Sequence, residues 1–394
     1  MIQPGKTKQP AESRVIPAPR QRATAQPRNA GFRPALVRKP LRYIAKVPSD
    51  IAPVRPGEEI NTIALTGYLR SQLMLEGAEL TVSQFPNGHS NLVYLVEIAG
   101  REYVLRRPPL GPVAARAHDM AREYRVLHAV HPHFPEAPAV YLVCEDAAVL
   151  GAPFFLMERR TGMVVRDSVP AALSAIPNHA SLISEAFIDC LVRMHAIDVA
   201  QPDLAALGKP DGFVARQVKG WSERWARART HDLPAMERIV HWLHARLPPS
   251  LPATLVHNDY KLDNVMLRPS GDAVAAVLDW EMATIGDPLS DLGLILCYWS
   301  WAGRAAAGVI PAVTTQPGWY TRDQFLHRYA LRTGRDLANI GYHEVLGIFK
   351  LAVILQQIFY RFHLGQTQDE RFRHFDLRVK GLVDLAAELL ERAA

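Results

Sequence analysis

The sequence predicts an α+β chain in two parts: a small antiparallel sheet with one helix packed on it, residues 51–158, then a mainly helical part, residues 159–394. Three observations carry this reading. Short apolar runs bounded by turn residues crowd the first part, at 80–85, 92–98, 101–106, 139–144 and 153–157. Apolar residues at helical spacing dominate the second, most clearly over 181–195. A hairpin pattern interrupts those helices, with apolar stretches at 265–267 and 274–278 joined by Pro269-Ser270-Gly271-Asp272.

Residues 1–50 are rich in Pro, Arg and Gln and are expected to be a disordered basic tail. Residues 1–46 hold eleven Lys or Arg and one acid, Glu12, a net of +10, whereas the remainder carries −4. The basicity therefore belongs to the tail, and the folded body is not expected to bind nucleic acid. An organellar transit segment or a weak polyanion anchor is the alternative to a plain extended tail. No apolar run approaches a membrane span; the best candidate, 351–360, is short and flanked by Lys350 and Arg361. Cys144, Cys190 and Cys297 have no metal-ligand spacing and read as buried reduced thiols. A cytoplasmic protein without membrane contact is the expectation; the oligomeric state is not legible.

In chain order, a helix is expected over 61–73, capped by Asn61 or Thr62, with Ile63, Tyr68 and Leu69 among its apolar positions. Between the first two strands, Pro86-Asn87-Gly88-His89-Ser90-Asn91 forms a turn of small and polar residues. Such a turn brings backbone N–H groups close to phosphate oxygens, so Ser90 and Asn91 are candidate nucleotide contacts. The third strand ends in Arg106, and the following helix, 113–130, places Ala117, Met120, Tyr124, Leu127 and Val130 on one face. Glu123 borders that face and needs a cationic partner, because burying a lone charge is costly. Arg106 is the candidate. After the fifth strand, Glu158-Arg159-Arg160-Thr161-Gly162 reads as the connection between the two parts, with Glu158 beside the natural place for an adenine edge.

The second part is expected to run through helices at 181–195, 221–228 and 233–247, with His195 a packing residue. Thr254-Leu255-Val256 then leads as a strand into His257-Asn258-Asp259-Tyr260-Lys261-Leu262-Asp263-Asn264. The hairpin that follows brings its open ends together, so Asn264 and Asp279 should lie side by side with Asp259 nearby. An amide oxygen and a carboxylate are hard ligands suited to Mg²⁺ completed by phosphate oxygens. The spacing His-x-Asp-x-Lys-x-x-Asn matches the kinase catalytic loop. There Asp259 takes a proton from a hydroxyl, Lys261 reaches the transferred phosphoryl group, and His257 heads the loop. Short patterns of such residues do arise by chance, and the flanking strands with Asp279 weigh against that. Asp287 is a candidate cap for an apolar helix ending near 301, and Asp291 lies within reach of the loop. A long buried helix is expected over 343–363. Arg361, His363, Arg371, Arg373, His374, Arg378 and Lys380 then crowd the end of the chain, as a solvated helix face or a site for an anionic group.

With these residues in view, the chain resembles the aminoglycoside and choline kinase-like phosphotransferase family over residues 60–385. The stretch 257–264 with Leu278-Asp279-Trp280-Glu281 carries the resemblance. The segments 85–91, 103–109, 286–293 and Gly365-Gln366-Thr367 resemble one branch, which includes the kinase-like domain of acyl-CoA dehydrogenase fusion proteins. The resemblance implies a protein kinase-like bilobal fold, ATP and Mg²⁺ as cofactors, and a small-molecule hydroxyl as acceptor, with a hydroxyacyl-CoA suggested by the branch. Two positions depart from the family. Asn258 stands where Gly is usual, in a backbone conformation Asn tolerates better than most residues. Arg106 stands where kinases generally carry Lys. An antibiotic kinase and a nucleotide-binding pseudokinase are the alternatives.

Overall fold

The structure, a computed structural model, describes residues 50–74, 77, 79–86, 91–110, 119–299 and 312–393. The expected disorder of the tail and the expected contact at Ser90 lie outside the described residues. Helix α1 (Thr62–Leu73) opens the fold, and Asn61 is its cap, its side chain accepting from the Ala64 N–H at 3.0 Å. Its apolar face includes the expected Leu69, with Tyr68 packed beside it and Leu65 also buried, whereas Ile63, expected on that face, is 86% exposed.

Strands β1 (Leu80–Gln84), β2 (Leu92–Ile98) and β3 (Arg101–Arg107) form an antiparallel meander. The β2–β3 turn uses Ala99 and Gly100, both at positive φ, as a tight two-residue hairpin requires. Helix α2 (Met120–Val130) follows, capped by Asp119; the earlier part of the helix expected from 113, with Ala117, lies outside the described residues. Next come β4 (Val140–Cys144), a short α3 (Ala147–Leu150) and β5 (Phe154–Glu158). The strand order is β1-β2-β3-β5-β4. One sheet face, with Tyr94, Leu105 and Leu156, packs on α1. The other, with Val104, Phe155 and Met157, joins α2 and the large core of the helical part.

The helical part begins with β6 (Met163–Val164), α4 (Ala171–Ser174), α5 (His179–His195) and α6 (Pro202–Ala205). Helix α7 (Phe213–Ala228) starts eight residues before the expected 221, after a left-handed Gly212, and buries Phe213, Val214 and Val218. It is followed by α8 (Pro234–Ala245), then β7 (Thr254–Val256), β8 (Val265–Leu267), β9 (Val274–Val277) and β10 (Thr284–Gly286). Helices α9 (Leu289–Tyr298), α10 (Arg322–Thr333), α11 (Ile340–His363) and α12 (Phe375–Ala393) complete the described fold.

Helix α11 corrects the expectation about apolar runs. At 24 residues it is long and apolar enough to cross a membrane by length and composition, and 56% of its apolar window is buried inside the fold. It packs against α9 so closely that a Cβ on Gly293 would stand 2.1 Å from the His343 carbonyl oxygen, and one on Gly347 2.7 Å from that of Gly293. All three cysteines are buried free thiols, as expected. The C-terminal charges are partly neutralised locally, in Arg371–Asp369, Arg373–Glu370 and Lys380–Asp384 pairs.

Candidate active site

Strands β8 and β9 pair antiparallel, with Val265 opposite Val277, and the Leu278 N–H donates to the Asn264 carbonyl at 2.8 Å. The two ends of the hairpin therefore meet, bringing Asn264 and Asp279 to one mouth. Asn264 also reaches the preceding loop: its Nδ2 donates to the Asp259 backbone oxygen at 2.9 Å and to Asp259 Oδ2 at 2.8 Å. That engagement directs the amide nitrogen inward and leaves its oxygen as the remaining acceptor. The Lys261 ammonium donates to both Asp259 carboxylate oxygens at 3.0 Å. Burial works to lower the Lys261 pKa, but Asp259 outweighs it and holds the ammonium charged.

Two residues here adopt left-handed backbone, Asn258 at φ +62° and Asp279 at φ +68°. Asn is one of the few side chains at home there, so the departure from Gly leaves the loop conformation intact. Asp291, at the start of α9, holds the loop from below. Its Oδ2 accepts the His257 N–H at 2.8 Å and its Oδ1 the Asn258 N–H at 2.6 Å. His195 adds a third contact to Asp291 at 3.1 Å, and its other ring nitrogen meets the Tyr329 hydroxyl at 2.7 Å. His195 is thus a packing residue with a polar task that sequence reasoning missed. Asp287 accepts the Leu289 N–H at 2.9 Å in the first turn of α9, as a cap does.

His257 turns inward. It is fully buried, its Nε2 lies 3.0 Å from the Leu278 carbonyl, and its Nδ1 accepts the Asp259 N–H at 3.3 Å. Burial holds its pKa below the usual histidine range. Both nitrogens are engaged inside the loop and it does not line the cleft, so His257 braces the loop rather than acting as a base.

Across the cleft, Arg106 extends from β3 between two carboxylates. Its Nε is 3.0 Å from Glu123 of α2, and its Nη2 donates to Asp279. Glu281 stands 3.7 Å from the same guanidinium and accepts from Asn91 at 3.3 Å. Burial pushes the Glu123 carboxyl up to about 8, although Arg106 pulls it down. Burial also works to lower the Arg106 pKa, but Glu123, Asp279 and Glu281 together raise it. A guanidinium facing three carboxylates keeps its proton. Burial likewise works against Asp279, and the adjacent Arg106 holds it below the usual carboxylate range. Glu281 was part of the sequence motif without an assigned place. Arg122 was also missed: it donates to the backbone oxygens of Glu281 and, at 2.8 Å, of Ala283, tying α2 to the segment after Asp279. Only the fold brings these residues together.

Glu158 lines the cleft, but its own groups are engaged: its N–H donates to the Ala139 oxygen at 2.7 Å, and its carboxylate accepts the Ala139 N–H at 3.1 Å and pairs with Arg160 at 2.9 Å. The cleft is about 590 Å³ and is lined by Arg106, Glu123, Lys261, Asn264 and Asp279. A much smaller pocket, about 20 Å³, opens beside it, where Lys261, Arg166 and Asp263 meet Phe187, Tyr260 and Tyr298. Among the described residues, no group of three or more His, Cys, Asp or Glu side chains is arranged to hold a metal by itself. The pairing of Asn264 with Asp279 fits an ion that takes its other ligands from phosphate and water.

Residues 81–328 match the phosphotransferase enzyme family, APH. The chain belongs to that family. It is 32% identical over 338 residues to mouse (Mus musculus) acyl-CoA dehydrogenase family member 10, covering 85% of this chain and 31% of that protein. It is 31% identical over 351 residues to human (Homo sapiens) acyl-CoA dehydrogenase family member 11, covering 87% of this chain and 45% of that protein. The chain thus spans less than half the length of these curated relatives. A Ralstonia eutropha JMP134 crystal structure assigned by name to the aminoglycoside phosphotransferases matches with a TM-score of 0.71 and 28% identity, covering 85% of this chain and 99% of that one. The fold of this phosphotransferase is the protein kinase-like, bilobal α+β fold implied by its sequence.

Proposed function

We propose that this phosphotransferase moves the γ-phosphoryl group of ATP, with Mg²⁺, to a hydroxyl group of a small molecule, and that the acceptor is a hydroxyacyl-CoA. The observation that carries the reading is the joint placement of Asp259, Lys261 and Asn264 at the mouth where Asp279 and Arg106 line one cleft. Asp259 would take the acceptor's hydroxyl proton while the new O–P bond forms and the bond from the γ-phosphorus to the bridging oxygen breaks, releasing ADP. Lys261 would face the charge on the transferred group. Arg106, held by Glu123, would contact phosphate oxygens. Asn264 and Asp279 would hold Mg²⁺, which neutralises phosphate charge when bound.

The acceptor class is supported by the names of the two relatives, both acyl-CoA dehydrogenase family members. An aminoglycoside is the alternative raised by the Ralstonia protein's name. The test is Mg²⁺-dependent ADP release over hydroxyacyl-CoAs, aminoglycosides, macrolides and choline, with Asp259→Asn alongside. Turnover with a hydroxyacyl-CoA that falls by about 10²–10⁴-fold in the variant is expected. Undiminished turnover in Asp259→Asn sinks the mechanism; turnover with an antibiotic alone replaces the acceptor.

A further inference from the structure

Lys350 lies in the middle of α11, beneath the loop that carries Asp259, and is only 4% exposed. Burying an ammonium group is among the costliest placements open to a side chain. Its hydrogen-bond partner is the Asn258 side-chain oxygen at 3.4 Å, and the Trp221 ring centroid lies 5.7 Å away. Burial lowers its pKa, and the carboxylates of Asp291 and Asp259 oppose that shift. Neither stands among its close ion pairs in the described residues.

Asn258 is the residue through which this cation can act. Its N–H is held by Asp291 of α9, its Nδ2 donates to the Met282 backbone oxygen at 3.2 Å, and its Oδ1 receives Lys350 of α11. Three separate elements therefore hold one left-handed residue, and the next residue in the chain is Asp259. A glycine could adopt the same φ but would lack the two side-chain ties.

We propose that Lys350 is a positioning residue for the phosphoryl-transfer site: through the Asn258 carboxamide it fixes the backbone from which Asp259 projects. Its kinetic consequence rests on the reaction put forward above; its structural consequence does not. The full-length chain, as wild type, Lys350→Met, Asn258→Gly and the double variant, is compared by amide hydrogen exchange and by Mg·ATP hydrolysis with water as acceptor. Each single variant should raise exchange over residues 257–264 and leave the remainder of α11 protected, and the double should add nothing further. Hydrolysis should fall by about 10²-fold, a size known for small displacements of a catalytic group, with KM for ATP unchanged. Unchanged protection of 257–264 in Lys350→Met overturns the proposal. So does a loss spread over α11 and its neighbours, or effects of the two substitutions that multiply. If Lys350→Met does not fold, Asn258→Gly decides alone, because normal loop protection there overturns the strut. A wild type that hydrolyses no Mg·ATP would count against the proposed reaction, while the exchange pattern would still decide the role of Lys350.

Discussion

Arg106 carries two tasks with opposite demands. It neutralises Glu123, a carboxylate with 2% of its side chain exposed, and it reaches the metal-binding candidate Asp279 with its other end. The first task ties it to the sheet and α2; the second makes it part of the cleft. Removing the guanidinium leaves buried carboxylates without a counter-charge, which typically costs about 3–5 kcal/mol. Arg106→Met is therefore expected to lower the melting temperature clearly and to weaken ATP binding by calorimetry. Arg106→Lys should recover much of the stability, since it keeps the charge, but less of the binding, because an ammonium lacks the fork that spans Glu123 and Asp279. Equal recovery of both would argue that the fork geometry is irrelevant.

At the scale of elements, the α9–α11 contact governs the ground under the catalytic loop. Asp291 rises from α9 and Lys350 from α11, so the spacing of these helices sets the height of the loop. Gly293 permits that spacing, and Gly293→Ala is expected to destabilise by about 1–3 kcal/mol or more through overpacking, read as a lower denaturant midpoint. His343, on α11, makes the contact pH-sensitive. Burial is the main cause that lowers its pKa to about 4. The unfolded chain binds that proton near pH 6.5, so between about 6.5 and 4 the unfolded state holds more protons. Stability should be complete above about pH 6.5, fall as the pH drops to about 4, and change no further from this group below that. The loss is on the order of 3 kcal/mol. His343→Asn should flatten this part of a stability–pH curve; an unchanged slope would assign it elsewhere.

For the whole molecule, what was legible in the sequence was whatever depends on near neighbours. The β8–β9 hairpin, the five-strand pattern and the Asp259–Lys261–Asn264 grouping all rest on short spacings, and their geometry appears as expected. The helix boundaries were less legible: α7 extends through Lys219 and Gly220, which blur the apolar face, and α10 was not anticipated although Thr321 and Gln324 form a capping box at its start. The Arg106–Glu123 pairing was legible because strand and helix follow one another. Glu281, Arg122 and Lys350 were not, since their partners come from distant chain segments and no local pattern announces them.

Those distances have a consequence for how the protein is made. Arg106 and Asp279 are 173 residues apart, Asn91 and Glu281 190, and Arg122 and Glu281 159. At synthesis rates of about 5–20 residues per second, Arg106 leaves the ribosome roughly 10–30 s before Asp279 exists. Glu123, by contrast, follows within a second or a few seconds at about the same rates. The newborn sheet can therefore settle with its arginine already matched to one carboxylate, while the cleft is completed only after the β9 strand emerges. Ribosome-arrested chains ending before residue 279 should protect β3 and α2 from protease and bind no nucleotide. Catalytic competence, on this timetable, comes only after the sheet and its arginine have settled.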